Sequence, residues 1–416
     1  MPEFLTLLPP DEAREKLFSH LSPRRVDPEQ LAVDSALGRV TAEDIAAPHP
    51  LPEFQRTTVD GYAVRAKDTF GASDSLPAYL NLIGEVPMGD APSFEIDTGQ
   101  CALIHTGGML PKGADAVVML EYTQSAQRNE IEIFKSLAEG ENIIRIGEDV
   151  AKGQVVIPKG TVLRPAEIGG LMALGITTLR VARLVTVGLI STGDEVIEPS
   201  QHPRPGQVRD INSYTLAALI EKSGGAAKKY GIIADQLPAL RDAAVKALLE
   251  CDVVIITAGS SASTRDMTAE VIRQLGEPGV LVHGINTRPG KPTILGVCNG
   301  KAVIGLPGNP VSALVNGYLF VAPVIEKLLE ALPKPKAIRQ ARLSVNLPSQ
   351  AGREDWWPVR LLPSSSGGGR VEGFSAEPIF GKSNLIFTLA SADGLLKIQA
   401  DATGLSAGEM VEVYLF

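Results

Sequence analysis

The chain has 416 residues and a formal net charge of −9 at pH 7, and 44% of its residues are hydrophobic and 21% charged. This length exceeds what one hydrophobic core usually organises, so we expect two to four domains in an ordinary soluble globular protein. The acidic balance and the lack of a long Lys/Arg run argue against nucleic acid or an anionic membrane as a partner, so any anion must be bound by local geometry.

The three cysteines, Cys101, Cys251 and Cys298, lie far apart in apolar, strand-like stretches. Their odd number and spacing fit neither a disulfide framework nor a metal motif, so we expect buried free thiols. The N-terminus lacks the cationic and apolar regions of a signal peptide, and no apolar run approaches the roughly 18 residues of a membrane span. These features predict a cytoplasmic protein.

The N-terminal segment has helical periodicity over residues 10–21, with Asp11 as a candidate cap. A second short helix is predicted within Leu31–Ile45, ending near Gly38. The proline-rich stretch Ala47–Pro52 then predicts an extended connector and a domain boundary, because residues before proline avoid the helical region.

Residues 76–135 are strand-like and punctuated by glycine, which predicts a small β-rich module. Upstream of it, Asp60-Gly61 lies between β-forming residues and favours a hairpin turn, since glycine tolerates positive φ. A glycine-rich loop within the module carries Thr106 and Lys112. This loop is open to two interpretations, a mobile turn or a contact to an oxyanion or phosphate.

The segment 141–181 contains repeated glycines and leads into the most regular part of the chain. We hypothesise that it pairs with the N-terminal helices, which makes residues 46–140 an insertion.

From Val185 to Pro310, short apolar strands alternate with helical patterns. The candidate strands are Val185–Ile190, Ala227–Ile233, Asp252–Thr257 and Val280–Gly284, followed by a hairpin of Thr293–Val297 and Ala302–Leu306 around Asn299-Gly300. This alternation predicts an α/β fold with a mostly parallel, doubly wound sheet.

Charged and hydroxyl residues, glycines and prolines follow the strands of this predicted sheet. Ligands bind beyond these carboxyl ends of the strands in such folds. They are Ser191, Thr192, Gly193, Asp194, Glu195, Asp235, Gly259, Ser260, Ser261, Asp266, Arg288, Gly290, Lys291, Pro307, Gly308, Asn309 and Pro310. Glycines let backbone N–H groups approach phosphate, helix N-termini favour anions, and carboxylates bind Mg²⁺. The edge therefore predicts a site for a phosphorylated ligand and a divalent metal.

After Pro310 comes an apolar helix with a candidate kink at Pro323, and then the linker Leu332–Lys336. The last 80 residues alternate apolar and polar positions, which predicts a small antiparallel barrel or sandwich.

Seven motifs in this order resemble the MoeA family of molybdopterin molybdenumtransferases, which is related to the E domain of gephyrin. They are Asp60–Arg65; Thr106–Gly108 with Pro111–Val118; Asn142 with Gly147–Val150; Ser191–Glu195; Asp210 with Asn212; Pro289–Pro292; and Leu306–Ser312. Ala392–Leu395 and Ala407–Glu409 also resemble the family's last domain. The resemblance spans nearly the whole chain.

The resemblance implies four domains: an elongated connector domain formed by residues 1–46 with 141–181, an inserted β-rich domain over 47–140, a central α/β molybdopterin-binding domain over 182–332, and a C-terminal β-barrel over 336–416. It also implies a head-to-tail homodimer with a shared active site. Asp60 and Thr106 of one subunit would then face Glu195 and Lys291 of the other.

The implied reaction inserts molybdate into adenylylated molybdopterin and releases AMP. The resemblance assigns catalysis to Asp60, Glu195, Asp235, Asp266 and Lys291, with Mg²⁺ held by Glu195 and Asp235. The remaining residues of the strand edge, with Thr106, Lys112 and Asp210, would bind the substrates, although Asp210 is equally well placed to cap the following helix. Contacts with the adenylyltransferase and with acceptor molybdoenzymes are further expectations.

Two departures from the family pattern leave alternatives open. The loop 258–266 is rich in Ser where the family usually has Gly and Val, and Ala234 precedes Asp235 where the family often has paired acids. Tungstate in place of molybdate, a molybdopterin adenylyltransferase, and a non-catalytic molybdopterin-binding scaffold are the competing hypotheses. The flanking domains argue against the adenylyltransferase, which usually consists of the central domain alone.

Overall fold

The structure is a computed structural model, and it describes residues 7–22, 26–127, 129–258, 262–335, 337–365 and 371–416. Gly259, Ser260 and Ser261, three of the predicted substrate-binding residues, lie outside this described part.

The two chain segments on either side of the β-rich module pair with each other. Strand Pro28–Ala32 runs antiparallel to Thr178–Ala182, and Ile45–Ala46 pairs with Val155–Ile157. Their shared apolar core includes the helix Pro165–Ala173 through Leu171. The insertion hypothesis requires this pairing, whereas the domain boundaries themselves stay a prediction.

The first predicted helix is present as Pro10–His20, but Asp11 does not cap it; the helix begins with proline, and Asp11 pairs with Arg14 at 2.6 Å. The second predicted helix is wrong. Its residues form the strand Pro28–Ala32 and a single turn at Val33–Ser35, because backbone pairing with the later segment overrides local helical periodicity.

The inserted module is a six-stranded, mainly antiparallel sheet. In spatial order its strands are Ala116–Met119, Gly61–Val64, Gln100–Ile104, Ala78–Glu85, Glu130–Ile133 and Thr123–Gln127. Gly61 begins a strand and does not form the predicted hairpin turn. Its lack of a side chain matters for close packing, because a Cβ there would overlap the carbonyl oxygen of Val118 on the next strand.

The central domain contains a six-stranded sheet with helices on both faces. In spatial order its strands are Gly225–Ile233, Val185–Thr192, Val253–Thr257, Lys301–Leu306, Ile294–Cys298 and Pro278–His283, and its helices are Asn212–Lys222, Leu237–Glu250, Ala262–Leu275, Pro310–Asn316 and Ala322–Leu328. The first four strands are parallel, and Ile294–Cys298 runs antiparallel to both of its neighbours, Lys301–Leu306 and Pro278–His283. The predicted fold class is confirmed, and so is the hairpin, with Asn299 and Gly300 both at positive φ.

The last helical segment of this domain continues through a π-helical turn at Gly317–Val321, just before Pro323. Pro310–Leu328 is long and apolar enough to cross a membrane by length and composition, yet 56% of it is buried inside the protein. Its side chains, among them Phe320 and Ile325, belong to the largest hydrophobic core. This burial is typical of a core helix.

The C-terminal region closes into a five-stranded barrel, as predicted. Its strands, in order around the barrel, are Glu354–Ser365, Val371–Pro378, Ile338–Leu343, Met410–Leu415 and Gly394–Ile398, and the last pairs back with the first. A two-residue strand of the central domain, Thr287–Arg288, joins the barrel by parallel pairing with Glu354–Asp355. The two domains are therefore connected by backbone hydrogen bonds as well as by the linker.

All three cysteines are buried and free, as predicted. Burial raises the pKa of Cys101 to about 12 and that of Cys298 to about 11. Such thiols are protonated at neutral pH and therefore poor nucleophiles.

Candidate functional site

A cleft of about 860 Å³ lies at the junction of the central domain and the barrel. One wall is the loop Thr287–Pro292 with the start of the helix at Pro310; the other is formed by residues 350–353, 356–358, 379, 381–384 and 388 of the barrel. The pairing of Thr287–Arg288 with Glu354–Asp355 fixes the position of the loop against the barrel.

The loop owes its conformation to Gly290 and to a buried amide beneath it. Gly290 has φ of 109°, and a Cβ there would overlap the side chain of Asn316. The Asn316 Nδ2 group donates hydrogen bonds to the carbonyl oxygens of Pro289, at 3.2 Å, and Ser312, at 2.8 Å. Asn316 therefore connects this loop to the helix Pro310–Asn316, of which it is the last residue.

Four cationic residues line the cleft, Arg288, Lys291, Arg353 and Lys382, and no acidic residue is among its described lining residues. Two of these cations are held by a carboxylate behind the wall. Asp355, whose side chain is 1% exposed, accepts a hydrogen bond from Arg353 Nε at 2.9 Å, and Arg288 Nη1 lies 3.6 Å from its other oxygen. Positive charge is therefore concentrated in one partly enclosed volume of an otherwise acidic protein. Such a concentration of positive charge is the electrostatic requirement for an anion site.

Neutral polar groups complete the cleft. Asn309 Nδ2 donates to Ser383 Oγ at 3.0 Å, and the backbone N–H of Val311 donates to the carbonyl oxygen of Ser383. The first N–H of the helix that begins at Pro310 is therefore occupied by the barrel. This N–H of the predicted anion-binding helix N-terminus already has a hydrogen-bond partner within the protein.

A second group of predicted residues lies at the carboxyl edge of the parallel strands. Ser191 and Thr192 are buried; the Thr192 hydroxyl donates to Asp235 Oδ1, and the Asp235 N–H donates to Asp194 Oδ1 at 3.2 Å. Glu195 is partly exposed beside them. The structure thus brings carboxylates from two strand ends together at one edge, as the sequence predicted.

The carboxylates of this edge are the candidate ligands for a metal ion. Among the described residues, no three His, Cys, Asp or Glu side chains lie close enough together to hold a metal ion. Mg²⁺, however, usually takes one or two carboxylates, several waters and substrate phosphate oxygens, and it rarely occupies a cage made of protein alone. The oxygen donors of Asp194, Asp235 and Glu195 fit that mode of binding.

Two other predicted residues have local structural partners. Asp210 is buried and its Oδ1 accepts the backbone N–H of Ser213 at 3.1 Å, so the capping alternative is the arrangement seen. Asp266 is exposed within the helix Ala262–Leu275. The loop predicted over 258–266 is therefore shorter than expected, because its last residues are helical.

Asp60 and Thr106 meet within the inserted module. Asp60 Oδ1 accepts hydrogen bonds from the Thr106 backbone N–H at 2.7 Å and from its hydroxyl at 3.0 Å. These bonds, with a smaller contribution from nearby His105, lower the pKa of Asp60 below its ordinary value. His105 in turn lies 3.1 Å from Glu85. All these partners belong to the inserted sheet or its loops.

Lys112 lies apart from both groups. Its ammonium pairs with Glu95 at 2.7 Å, its side chain is 79% exposed, and the pair raises the pKa of Lys112. The structure therefore gives this lysine a partner in its own module and no place in the cleft.

Sequence reasoning missed the barrel's share of the cleft. Arg353, Asp355, Lys382 and Ser383 were not among the predicted site residues, although all four lie at or directly behind its wall. The available signal was the run Gly352–Trp357, in which both tryptophans of the chain follow three charged residues.

Comparison with known proteins covers the chain in three parts. Residues 8–175 match the MoeA N-terminal region (domain I and II), residues 188–327 a probable molybdopterin binding domain, and residues 340–416 the MoeA C-terminal region (domain IV).

The similar proteins match over nearly their full lengths. A putative molybdopterin biosynthesis protein of Methanocaldococcus jannaschii is 38% identical, covering 96% of this chain and 95% of that protein. The molybdopterin molybdenumtransferase of Haemophilus influenzae is 33% identical, covering 98% of each. A crystal structure of the molybdopterin biosynthesis MoeA protein of Pyrococcus horikoshii has a TM-score of 0.85 at 34% identity, covering 99% of this chain and 100% of that one.

Proposed function

The chain belongs to the MoeA family of molybdopterin molybdenumtransferases, and from that premise we propose that it inserts molybdate into adenylylated molybdopterin and releases AMP in the biosynthesis of the molybdenum cofactor. The observation that carries the proposal is the cleft with four cationic and no acidic described lining residues. Both substrates are anions, and the rest of the chain is acidic.

The cleft supplies the donors that a tetrahedral oxyanion needs. Molybdate is a dianion, and the guanidinium groups of Arg288 and Arg353 offer several N–H donors in fixed planes. Lys291 and Lys382 add positive charge on either side, and Ser383 adds a hydroxyl. Because Asp355 holds both arginines, the anion meets donors that are already oriented, which reduces the entropy lost on binding.

The carboxylate edge is proposed to serve the pyrophosphate bond. Asp235 and Glu195 would hold Mg²⁺, which when bound neutralises phosphate oxygens and polarises the bond that breaks. Asp194 orients Asp235 through its backbone N–H, and Thr192 fixes the Asp235 carboxylate by donating its hydroxyl proton. The chain's own residues thus hold the Asp235 carboxylate in place at the edge. Asp266, one turn into its helix, is the proposed outer member of this acidic group.

The site is proposed to be shared within a homodimer. Asp60 is ionised and oriented by Thr106, yet the partners that the structure gives it lie within the inserted module. A head-to-tail arrangement brings this pair to Glu195 and Lys291 of a second copy, which gives an ionised, exposed carboxylate a substrate to act on. The adenylyltransferase and acceptor molybdoenzymes are the proposed protein partners, and the cytoplasm is the proposed location.

The decisive experiment measures AMP release from adenylylated molybdopterin with Mg²⁺ while molybdate and tungstate are titrated separately. Release that depends on the oxyanion is expected, and the two titrations rank the metals. Pterin binding without AMP release under either oxyanion would overturn the insertase and favour the scaffold. Pyrophosphate release from ATP and unmodified molybdopterin, with formation of adenylylated molybdopterin, would instead indicate the adenylyltransferase.

A further inference from the structure

The cleft is much larger than an oxyanion requires. Its volume of about 860 Å³ falls in the range of roughly 300–1,000 Å³ typical of pockets for whole small molecules. A water molecule takes up about 30 Å³ of liquid, and a tetrahedral oxyanion displaces only a few waters. Most of the cleft is therefore available to another part of a ligand.

The wall opposite the cationic loop is aromatic. The chain has two tryptophans, and both line this cleft. Trp357 is partly exposed; behind it lies the barrel core, and its ring centroid is 5.6 Å from that of Phe380, with the two planes at 71°. The guanidinium carbon of Arg288 lies 5.4 Å from the Trp357 centroid. Trp357 is thus a supported ring with a cation beside it.

Phe380 is 60% exposed and lies between two lining residues of the cleft, Ile379 and Gly381. An aromatic side chain left in water beside a pocket is a feature of binding surfaces, since its apolar area is buried only when a ligand arrives. Trp356 differs, because it is 9% exposed and already packs edge-on against Tyr414 at 5.5 Å and beneath Lys397. Both tryptophans line the cleft, but Trp356 is already packed into the barrel, whereas Trp357 keeps a partly exposed ring that Phe380 contacts from the side.

We infer that Trp357 and Phe380 form a stacking subsite for the pterin ring of the substrate, in the same cleft that binds the oxyanion. The inference rests on the proposed function and specifies where its larger substrate lies. The dithiolene that accepts the metal is attached to the pterin system, so the heterocycle nearest the oxyanion is the pterin and not the adenine. An aromatic face with a cation beside it is a usual platform for stacking planar heterocycles.

The test uses the full chain and isothermal titration calorimetry with three probes: 6-hydroxymethylpterin, AMP and molybdate. Trp357→Leu is expected to weaken pterin binding by about 5- to 150-fold, the equivalent of roughly 1–3 kcal/mol for one stacked ring. Trp357→Phe retains an aromatic face and should stay within a few-fold of the parent. Phe380→Leu removes the exposed ring that contacts Trp357 and should weaken pterin binding with no change in folding.

Two controls separate stacking from general damage. Trp357→Leu should leave molybdate affinity unchanged, whereas Arg353→Met should weaken molybdate and leave the uncharged pterin bound. Trp356→Phe keeps the barrel packing and should not change pterin affinity. A loss of both ligands together in Trp357→Leu would indicate damage to the cleft and count against the subsite.

Equal pterin affinity in Trp357→Leu and the parent, or no pterin binding by the parent at millimolar concentration, would overturn the inference. Dependence of AMP binding on Trp357, without dependence of pterin binding, would assign the wall to adenine and also overturn it. Failure of oxyanion-dependent AMP release with pterin stacking intact would contradict the proposed function alone, so the two failures are distinguishable.

Discussion

The buried carboxylate of Asp355 accepts a hydrogen bond at 2.9 Å from the guanidinium Nε of Arg353. The same carboxylate lies 3.6 Å from Arg288, which belongs to the central domain, whereas Asp355 and Arg353 belong to the barrel. One acidic side chain, shielded from solvent, therefore orients cations of two domains toward one cleft. Because the barrel contributes half of the cations, it is part of the candidate site and not only a structural appendage.

Asp355→Asn tests this arrangement, because the two explanations of anion binding predict opposite changes in molybdate affinity. If net charge alone governed binding, removing a negative charge would strengthen molybdate affinity. If orientation governs it, affinity should fall, and misplaced donors can lower binding or turnover by about tenfold to a hundredfold. Molybdate titration of the variant decides between the two, and tighter binding would contradict the positioning role.

The neighbouring Glu354→Gln variant is the matched control for Asp355. Glu354 is similarly buried, but its ion-pair partner is Lys397, at 2.8 Å, which does not line the cleft. Both variants are expected to lower the free energy of unfolding by about 1–3 kcal/mol, as loss of a buried charged hydrogen bond does. Only the Asp355 variant should change molybdate affinity.

Lys291→Met should weaken molybdate binding by about 10- to 150-fold, since hydrogen bonds to charged groups contribute roughly 1.5–3 kcal/mol. The variant should also show a smaller decrease in affinity with rising salt, because one cation no longer takes part. Lys246 is exposed on the helix Leu237–Glu250 of the same domain. Lys246→Met changes the net charge equally and should leave the molybdate affinity and its salt dependence unaltered. Equal behaviour of the two variants would remove Lys291 from the site.

The sequence predicted the parallel strands and the residues at their ends, because strand periodicity and glycine-rich strand ends are local signals. Asp194 and Asp235 lie beyond the carboxyl ends of these strands, as strand periodicity predicts. The cleft was only half predicted. Arg353 is brought to it by the pairing of Thr287 with Glu354, and Lys382 lies next to Ser383, which accepts the backbone N–H of Val311; both contacts join residues far apart in the chain. No local pattern encodes such a pairing.

The misassigned helix at Leu31 has the same physical cause. Its residues have helical periodicity, yet Leu31 pairs with Leu179, almost 150 residues later, and long-range backbone pairing outweighs a weak propensity. Gly61 is a related case. The turn expected from Asp60-Gly61 is a strand start, and glycine is required there by the approach of Val118, a contact visible only in three dimensions.

Glu195→Gln should abolish AMP release, because the amide keeps the shape of the side chain and removes the charge that binds the metal or orients the nucleophile. Since Glu195 is partly exposed on a strand-end loop, the free energy of unfolding should change by no more than about 1 kcal/mol. AMP release and chemical denaturation on the same preparation give both values. Full activity would remove Glu195 from the mechanism.

A shared site predicts complementation between two inactive variants. Asp60→Asn and Glu195→Gln chains, mixed under conditions that exchange subunits, should recover activity, since each mixed dimer contains one site with neither substitution. Differently tagged chains purified as mixed dimers provide the measurement, and each variant exchanged with itself is the control. Absence of recovery in verified mixed dimers would place both residues in one chain's site.

Thr106→Ala should raise the pKa of Asp60. Hydrogen bonds from the Thr106 backbone N–H and hydroxyl favour the ionised carboxylate and lower this pKa, and the variant removes the hydroxyl bond while the backbone bond remains. With a lowered folded-state pKa, Asp60 stays ionised until the pH falls through that value, so the loss of activity on the acid side should begin at a higher pH in the variant. Thr106→Ser keeps the hydroxyl and should restore the parental profile, and the titration of Asp60 followed by carboxyl NMR should shift in parallel. An unchanged acid limb in Thr106→Ala, with an unchanged Asp60 titration, would show that the backbone bond alone holds the carboxylate ionised.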